Sequence, residues 1–132
     1  MRYLLDTNII SDLVYNPQGR VAENIRRVGE AQVCTSIIVA AELRFGAAKK
    51  GSRQLTTLIA GVLDALEILP FETPADAAYG ELRAGVEKTG RTIGGNDLLI
   101  AAQAITHGLT IVSDNMREFA RIDGLTCENW LR

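Results

Sequence analysis

Long apolar runs, histidine, aromatic residues and a surplus of positive charge are all scarce in this 132-residue chain. No apolar run approaches the roughly 18 residues that a membrane span needs, so the sequence does not read as a membrane protein. Histidine occurs once and cysteine twice, which leaves no paired His or Cys ligands for zinc and no disulfide framework. Cys34 and Cys127 each lie in a short apolar stretch and read as buried thiols in a reducing cytosol. Asp6 interrupts the first apolar run before a leader peptide could form, and a cytoplasmic location follows as the expectation. Aromatic residues make up 5% of the chain, so recognition of nucleic-acid bases by stacking has few side chains to draw on. The net charge of -2 excludes a long-range positive field as the basis of nucleic-acid binding and leaves room for a local basic patch.

What is present is an ordinary globular mixture, 47% apolar and 23% charged. A chain of this length buries roughly two-thirds of the surface its unfolded form exposes and needs no metal or disulfide to fold. Residues 2–5 read as a buried parallel strand. Helices are expected over residues 8–15 and 20–28. A second strand over 32–35 leads into a helix over 38–49, with Ser36 as its cap. A strongly amphipathic helix follows over 54–66, with more apolar surface than one sheet-facing side uses. A third strand over 67–70 comes next. Thr73-Pro74 predicts a hydroxyl cap and a proline at the first helical position, opening a helix to Lys88. Asp97 opens a nearly all-apolar helix over 98–106, with His107 at its end as a dipole partner. A fourth strand over 110–113, a helical turn over 115–120 and a possible fifth strand over 125–127 complete the chain. Strands alternating with helices imply one α/β domain over residues 1–132, a three-layer α/β/α sandwich with a mainly parallel sheet of four to five strands and right-handed crossovers.

The acidic residues are placed unusually within that frame. Asp6 ends the first strand, and Asp97 opens an apolar helix. Asp114 follows the fourth strand with Asn115 beside it, and Glu42 lies inside the helix after the second strand. In a parallel sheet these positions converge on the carboxyl edge, where open α/β sheets bind ligands. Clustered carboxylates repel and raise one another's pKa values, a penalty that a cation removes. An all-oxygen donor set favours Mg²⁺ or Mn²⁺ over Zn²⁺, and such an ion suits phosphoryl chemistry.

Four segments then carry a family resemblance: Leu4-Leu5-Asp6-Thr7-Asn8, Ala41-Glu42-Leu43-Arg44-Phe45-Gly46, Ile93-Gly94-Gly95-Asn96-Asp97-Leu98-Leu99-Ile100-Ala101-Ala102 and Ile111-Val112-Ser113-Asp114-Asn115-Met116-Arg117-Glu118-Phe119. In order and spacing they resemble PIN-domain proteins, most of all the VapC-type toxins of bacterial toxin–antitoxin pairs, over essentially the whole chain.

The resemblance implies that Asp6, Glu42 and Asp97 bind Mg²⁺ or Mn²⁺. It implies a fourth acidic position that, aligned on Phe119, falls on Asn115, so that Asp114 and Asn115 both remain candidates. Asn8 matches a polar position that helps arrange the site. The implied activity is endoribonuclease cleavage of structured RNA, typically a tRNA loop, by a water activated at the metal. Asp6 and Asp97 would hold the ion, Glu42 would orient or deprotonate the water, and the products would be a 5′-phosphate and a 3′-hydroxyl. Ser36, Arg44, Arg83 and Arg91 are candidate substrate contacts, with Lys88 a further local cation. The implied partners are a VapB-type antitoxin, lying across the toxin, and a second copy of the chain. The alternative is a PIN fold that binds RNA or protein without cleaving.

Overall fold

The computed structural model describes residues 2–132. Five strands form one sheet in the order β3-β2-β1-β4-β5. They are β1 (Tyr3–Leu5), β2 (Val33–Ser36), β3 (Glu67–Leu69), β4 (Thr110–Val112) and β5 (Thr126–Glu128). Every pairing is parallel. The expected mainly parallel sheet is therefore entirely so, and the uncertain fifth strand is real.

Helices α1 (Thr7–Tyr15) and α2 (Arg20–Val28) join β1 to β2, and α3 (Ile37–Lys50) and α4 (Arg53–Asp64) join β2 to β3. Helices α5 (Ala75–Lys88) and α6 (Gly95–His107) carry the chain from β3 back across the sheet to β4, and the short α7 (Met116–Phe119) leads to β5. With right-handed crossovers, the first four helices cover one face and the later ones the other. The direction of travel reverses between β1 and β4. That is a topological switch point, where a crevice opens beyond the strand ends.

The core explains why these segments hold. Leu4, Leu5, Ile111 and Val112 on the central strands are fully buried, as are Ile9, Ile10, Val39 and Ile100 on the helices that cover them. Each such side chain contributes about 1.5–3 kcal/mol through the water it leaves. Phe119 and Trp130 are also buried, as their apolar settings in the sequence suggest, and Trp130 tilts against Tyr3 with ring centroids 5.2 Å apart. Helix α6 is buried almost all round, including Gln103. Helix α3 ends at Gly51, whose left-handed φ of 66° lets its N–H reach the carbonyls of Ala47 and Ala48. Ser52 then caps α4 by accepting from the Leu55 N–H at 3.1 Å.

Most boundaries shift by a residue or two, and two helix starts differ in ways that matter. Helix α5 begins at Ala75, with Pro74 at the cap position and no side-chain cap bond. The Ala75 N–H bonds the Glu72 carbonyl, so a turn through residues 72–75 precedes the helix and displaces proline from its first position. Helix α6 begins at Gly95, two residues before Asp97. The Leu98 N–H reaches the Gly94 carbonyl at 3.0 Å, so Asp97 lies inside the first turn.

Candidate active site

The register of the central strands builds the site. Leu5 pairs with Val112, and the Asp6 N–H continues the ladder to the Val112 carbonyl at 2.9 Å. The residues that follow, Asp6 and Ser113, therefore face each other at the switch point. Ser113 Oγ donates to Asp6 Oδ2 at 2.7 Å, and Asp6 Oδ1 accepts from the Thr7 N–H at 2.8 Å. Asp6 is only 4% exposed. Burial pushes its carboxyl above the usual range, and the bonds from Ser113 and Thr7 pull the other way.

Glu42 arrives from the second turn of α3. Thr7 Oγ1 donates to Glu42 Oε1 at 3.3 Å. Its pKa is raised, first by burial and then by the Asp6 charge, against bonds from Thr7 and Asn96. Asp97 arrives from the first turn of α6. Burial, a hydrogen bond with Glu118 and the charges of Asp6, Glu118 and Glu42 push it up to about 7. The three acids expected at one edge are thus close enough to feel one another.

Of the two residues after β4, Asn115 is the one that faces the acids, with an unexpected companion. Asn115 Nδ2 donates to Asp97 Oδ2 at 3.0 Å and to Glu118 Oε2 at 3.1 Å. Its backbone N–H reaches Ser113 Oγ at 2.9 Å. Asn115 acts as a strut between two acids. Glu118, half-buried one turn further on, was not among the expected site residues. Its pKa is lowered chiefly by the hydrogen bond from Asp97, with further help from Asn115, the Gly94 N–H and the Arg121 charge. Asp114 turns away. It accepts from Asn129 Nδ2 at 2.9 Å and lies 3.5 Å from Arg132. The chain bends at Asp114, and the bond from the Asn115 N–H to Ser113 Oγ turns residue 115 toward the acids while residue 114 points outward.

The remaining candidates separate. Asn8 lies at the site, donating to Ser113 Oγ at 3.5 Å and accepting the Asp114 N–H at 3.0 Å. Ser36 is fully buried; its oxygen accepts from the Ile38 N–H at 2.9 Å and its hydroxyl donates to Gln103. It is a cap, and its side chain is closed off from solvent. Arg83 is committed to Glu87 and Tyr79 along α5. Arg44 and Arg91 are exposed and form no ion pair among the described residues. Tyr15 and Phe45 are 60% and 67% exposed, so the few aromatics are not all committed to the core.

The donor set fits a divalent cation in kind. The side chains that could ligate it are carboxylates, and the neighbouring charges that, after burial, raise Asp97 are a repulsion an ion would relieve. Among the described residues no three acidic, His or Cys side chains are drawn into a ready-made cage. The acids are spaced by Thr7, Asn96 and Asn115, which hold them in position.

The PIN-domain family profile matches residues 3–125. The chain belongs to the PIN-domain family. Within it the similarity runs to VapC proteins at full length. The chain is 37% identical to "Ribonuclease VapC2" of Haemophilus influenzae, with 99% of each chain covered. It is 32% identical to "tRNA(fMet)-specific endonuclease VapC" of Shigella flexneri, with 98% of each covered. Among solved structures, VapBC2 of Rickettsia felis bound to a fragment of its promoter DNA matches with a TM-score of 0.91 at 38% identity, covering 98% of this chain and 99% of that one. The all-parallel sheet flanked by helices is therefore the PIN fold.

A second feature of this PIN domain is an apolar groove of about 480 Å³ between α1, α2 and α4, away from the acids. Leu13, Ile25, Val33, Leu58, Val62 and Leu66 line it, and Leu58 is 45% exposed. The surplus apolar surface anticipated for α4 is this wall.

Proposed function

We propose that the chain is a divalent-metal-dependent endoribonuclease toxin, cutting tRNA or a similarly structured RNA in the cytoplasm and held in check by a VapB-type antitoxin. The observation that carries this reading is the convergence of Asp6, Glu42, Asp97 and Glu118 at the switch point, braced by Ser113 and Asn115. Asp6 and Asp97 would hold Mg²⁺, or Mn²⁺ in its place, with Glu118 and Glu42 able to add oxygen atoms. When bound, the ion would supply charge against developing negative charge on phosphate oxygens and make a water more acidic.

The chain's own residues do the rest. Ser113 fixes Asp6 through a buried hydrogen bond, so the carboxylate keeps one orientation. Asn115 sets the separation of Asp97 and Glu118. Glu42 shares one oxygen with Thr7 and has a raised pKa, which suits accepting a proton from an attacking water. A water oxygen would bond to phosphorus as the bond between phosphorus and the 3′ oxygen breaks; Glu42 would take the water's proton and the departing 3′ oxygen would take one from solvent, leaving a 5′-phosphate and a 3′-hydroxyl. Ser113 is fully buried, so its hydroxyl braces Asp6 and does not meet the substrate as a nucleophile.

The apolar groove between α1, α2 and α4 supports the partner assignment. An amphipathic segment of an antitoxin would seat its apolar face there, and the VapBC complexes among the similar structures favour that occupant. Self-association is supported by α3 and α6, which expose Ile37, Phe45 and Ile105. No helix among the described residues is long and apolar enough to cross a membrane, and both cysteines are free thiols, in keeping with a cytoplasmic setting.

The test is sequencing of RNA 5′ ends after a pulse of expression. Discrete new 5′-phosphate ends in one tRNA, absent with Asp6→Asn, are expected. Growth inhibition that persists with Asp6→Asn and without new ends would instead favour the non-cleaving reading.

A further inference from the structure

An acidic site in a chain of net charge -2 repels RNA unless local cations hold the backbone. One groove brings two arginines together beside the loop that leads into Asp97. It lies between the second half of α5 and the turn after α7, has a volume of about 250 Å³, and is lined by Arg91, Arg121, Glu81, Asp123, Leu82 and Val86.

This groove borders the site through covalent and hydrogen-bonded neighbours. The Arg121 N–H donates to the Glu118 carbonyl at 3.2 Å, so the two share one helical turn, where side chains three apart are neighbours. Arg121 Nη1 donates to the Thr92 carbonyl at 3.2 Å, tying the groove to the loop that leads into Asp97. Arg91 is in that loop, exposed and without an ion pair among the described residues.

We infer that this groove binds the nucleotide adjoining the scissile phosphate, with Arg91 and Arg121 on backbone phosphate and Glu81 and Asp123 on its hydroxyl or amino donors. The inference rests on the ribonuclease reading and names how its substrate is held. The mixed lining supports a nucleotide over a bare anion. Two arginines match phosphate oxygens, two carboxylates balance them and accept from a 2′-hydroxyl or a base amino group, and Leu82 and Val86 offer an apolar surface for ribose or base. Arg121 is a positioning residue as well, because its bond to Thr92 holds the loop. Arg91 has no such bond, so its replacement isolates the substrate contact.

The experiment measures binding of a fluorescent single-stranded oligoribonucleotide by anisotropy, in chelator and over a range of salt, for wild type, Arg91→Ala, Arg91→Glu, Arg121→Ala and Arg121→Lys. Thermal unfolding and cleavage in Mg²⁺ are followed on the same samples. Arg91→Ala should weaken binding about fivefold without changing the melting temperature. The slope of log affinity against log salt should become shallower by about 0.7, one lost phosphate contact on a single strand. Arg91→Glu should weaken binding further, and Arg121→Lys should restore part of the affinity lost in Arg121→Ala. Wild-type affinity and slope in both Arg91 variants overturn the groove, and so does a wild-type protein that binds no RNA. Cleavage by all variants alike removes the groove and leaves the ribonuclease. Arg91-dependent binding without any cleavage removes the ribonuclease and leaves the groove.

Discussion

Asn115 Nδ2 donates to Asp97 Oδ2 across 3.0 Å, placing a neutral amide where a fourth carboxylate was the expectation from family resemblance. Its second hydrogen reaches Glu118, so the negative charge of that wall comes from one turn further along the chain. Removing the strut should separate Asp97 from Glu118. Asn115→Ala is expected to lower RNA cleavage about 10- to 100-fold, the usual cost of losing a partner that orients a metal ligand. Steady-state cleavage at saturating Mg²⁺ checks this. Glu118→Gln should produce a loss in the same range, and Asp114→Asn should stay close to wild type.

Stability without metal should fall as pH rises from about 4 to about 7. Asp97 is pushed up to about 7, and Asp6 and Glu42 are raised as well. In that window the folded chain binds more protons than the unfolded chain, so stability decreases with pH and levels off above the folded pKa. Glu118 is shifted the other way and offsets part of the fall. Melting temperatures in EDTA across pH should show the decline, and Mg²⁺ or Mn²⁺ should flatten it by replacing the proton. A profile that rises through this window, or one that metal leaves unaltered, would contradict the charge arrangement.

Ser113 is the buried hub between β1 and β4. Ser113→Ala strips Asp6 Oδ2 of its donor and leaves the Asn115 N–H without its partner. Loss of about 1–3 kcal/mol is expected from the unsatisfied groups, measured by urea unfolding, together with a fall in cleavage. Ser113→Thr keeps the hydroxyl and should recover much of both. Recovery separates the hydrogen bond from the mere size of the side chain.

Arg83 should be silent. Its guanidinium is held by Glu87 and Tyr79 on an exposed face of α5, and exposed pairs of this kind are worth roughly 0–1 kcal/mol. Arg83→Ala should leave RNA affinity and cleavage at wild-type values in the anisotropy and cleavage assays.

These contrasts mark what one sequence makes legible. Asp6, Glu42 and Asp97 were readable because Asp6 ends a strand and the other two lie in the first two turns of helices, positions that a parallel topology can bring to one edge. The choice between Asp114 and Asn115 needed the direction in which the chain leaves β4. Glu118 was hidden because α7 is only one turn long; its spacing of three from Asn115 was the available signal. Ser36 and Arg83 were placed by partners, Gln103 and Glu87, whose proximity depends on packing between elements or on side-chain conformation. The groove beside Arg91 and Arg121 joins two segments thirty residues apart, a contact no local pattern announces.

The most direct measurement is cleavage of a labelled tRNA by purified protein, followed in EDTA and then with Mg²⁺ or Mn²⁺ restored, alongside Asp6→Asn and Asp97→Asn. An acid cluster that works through a divalent ion gives discrete products with 5′-phosphate and 3′-hydroxyl ends only when metal is present, and both substitutions lower the rate by two or more orders of magnitude, about 3 kcal/mol or more of transition-state stabilisation. Equal cleavage in EDTA, or products that persist unchanged with Asp6→Asn, would contradict it.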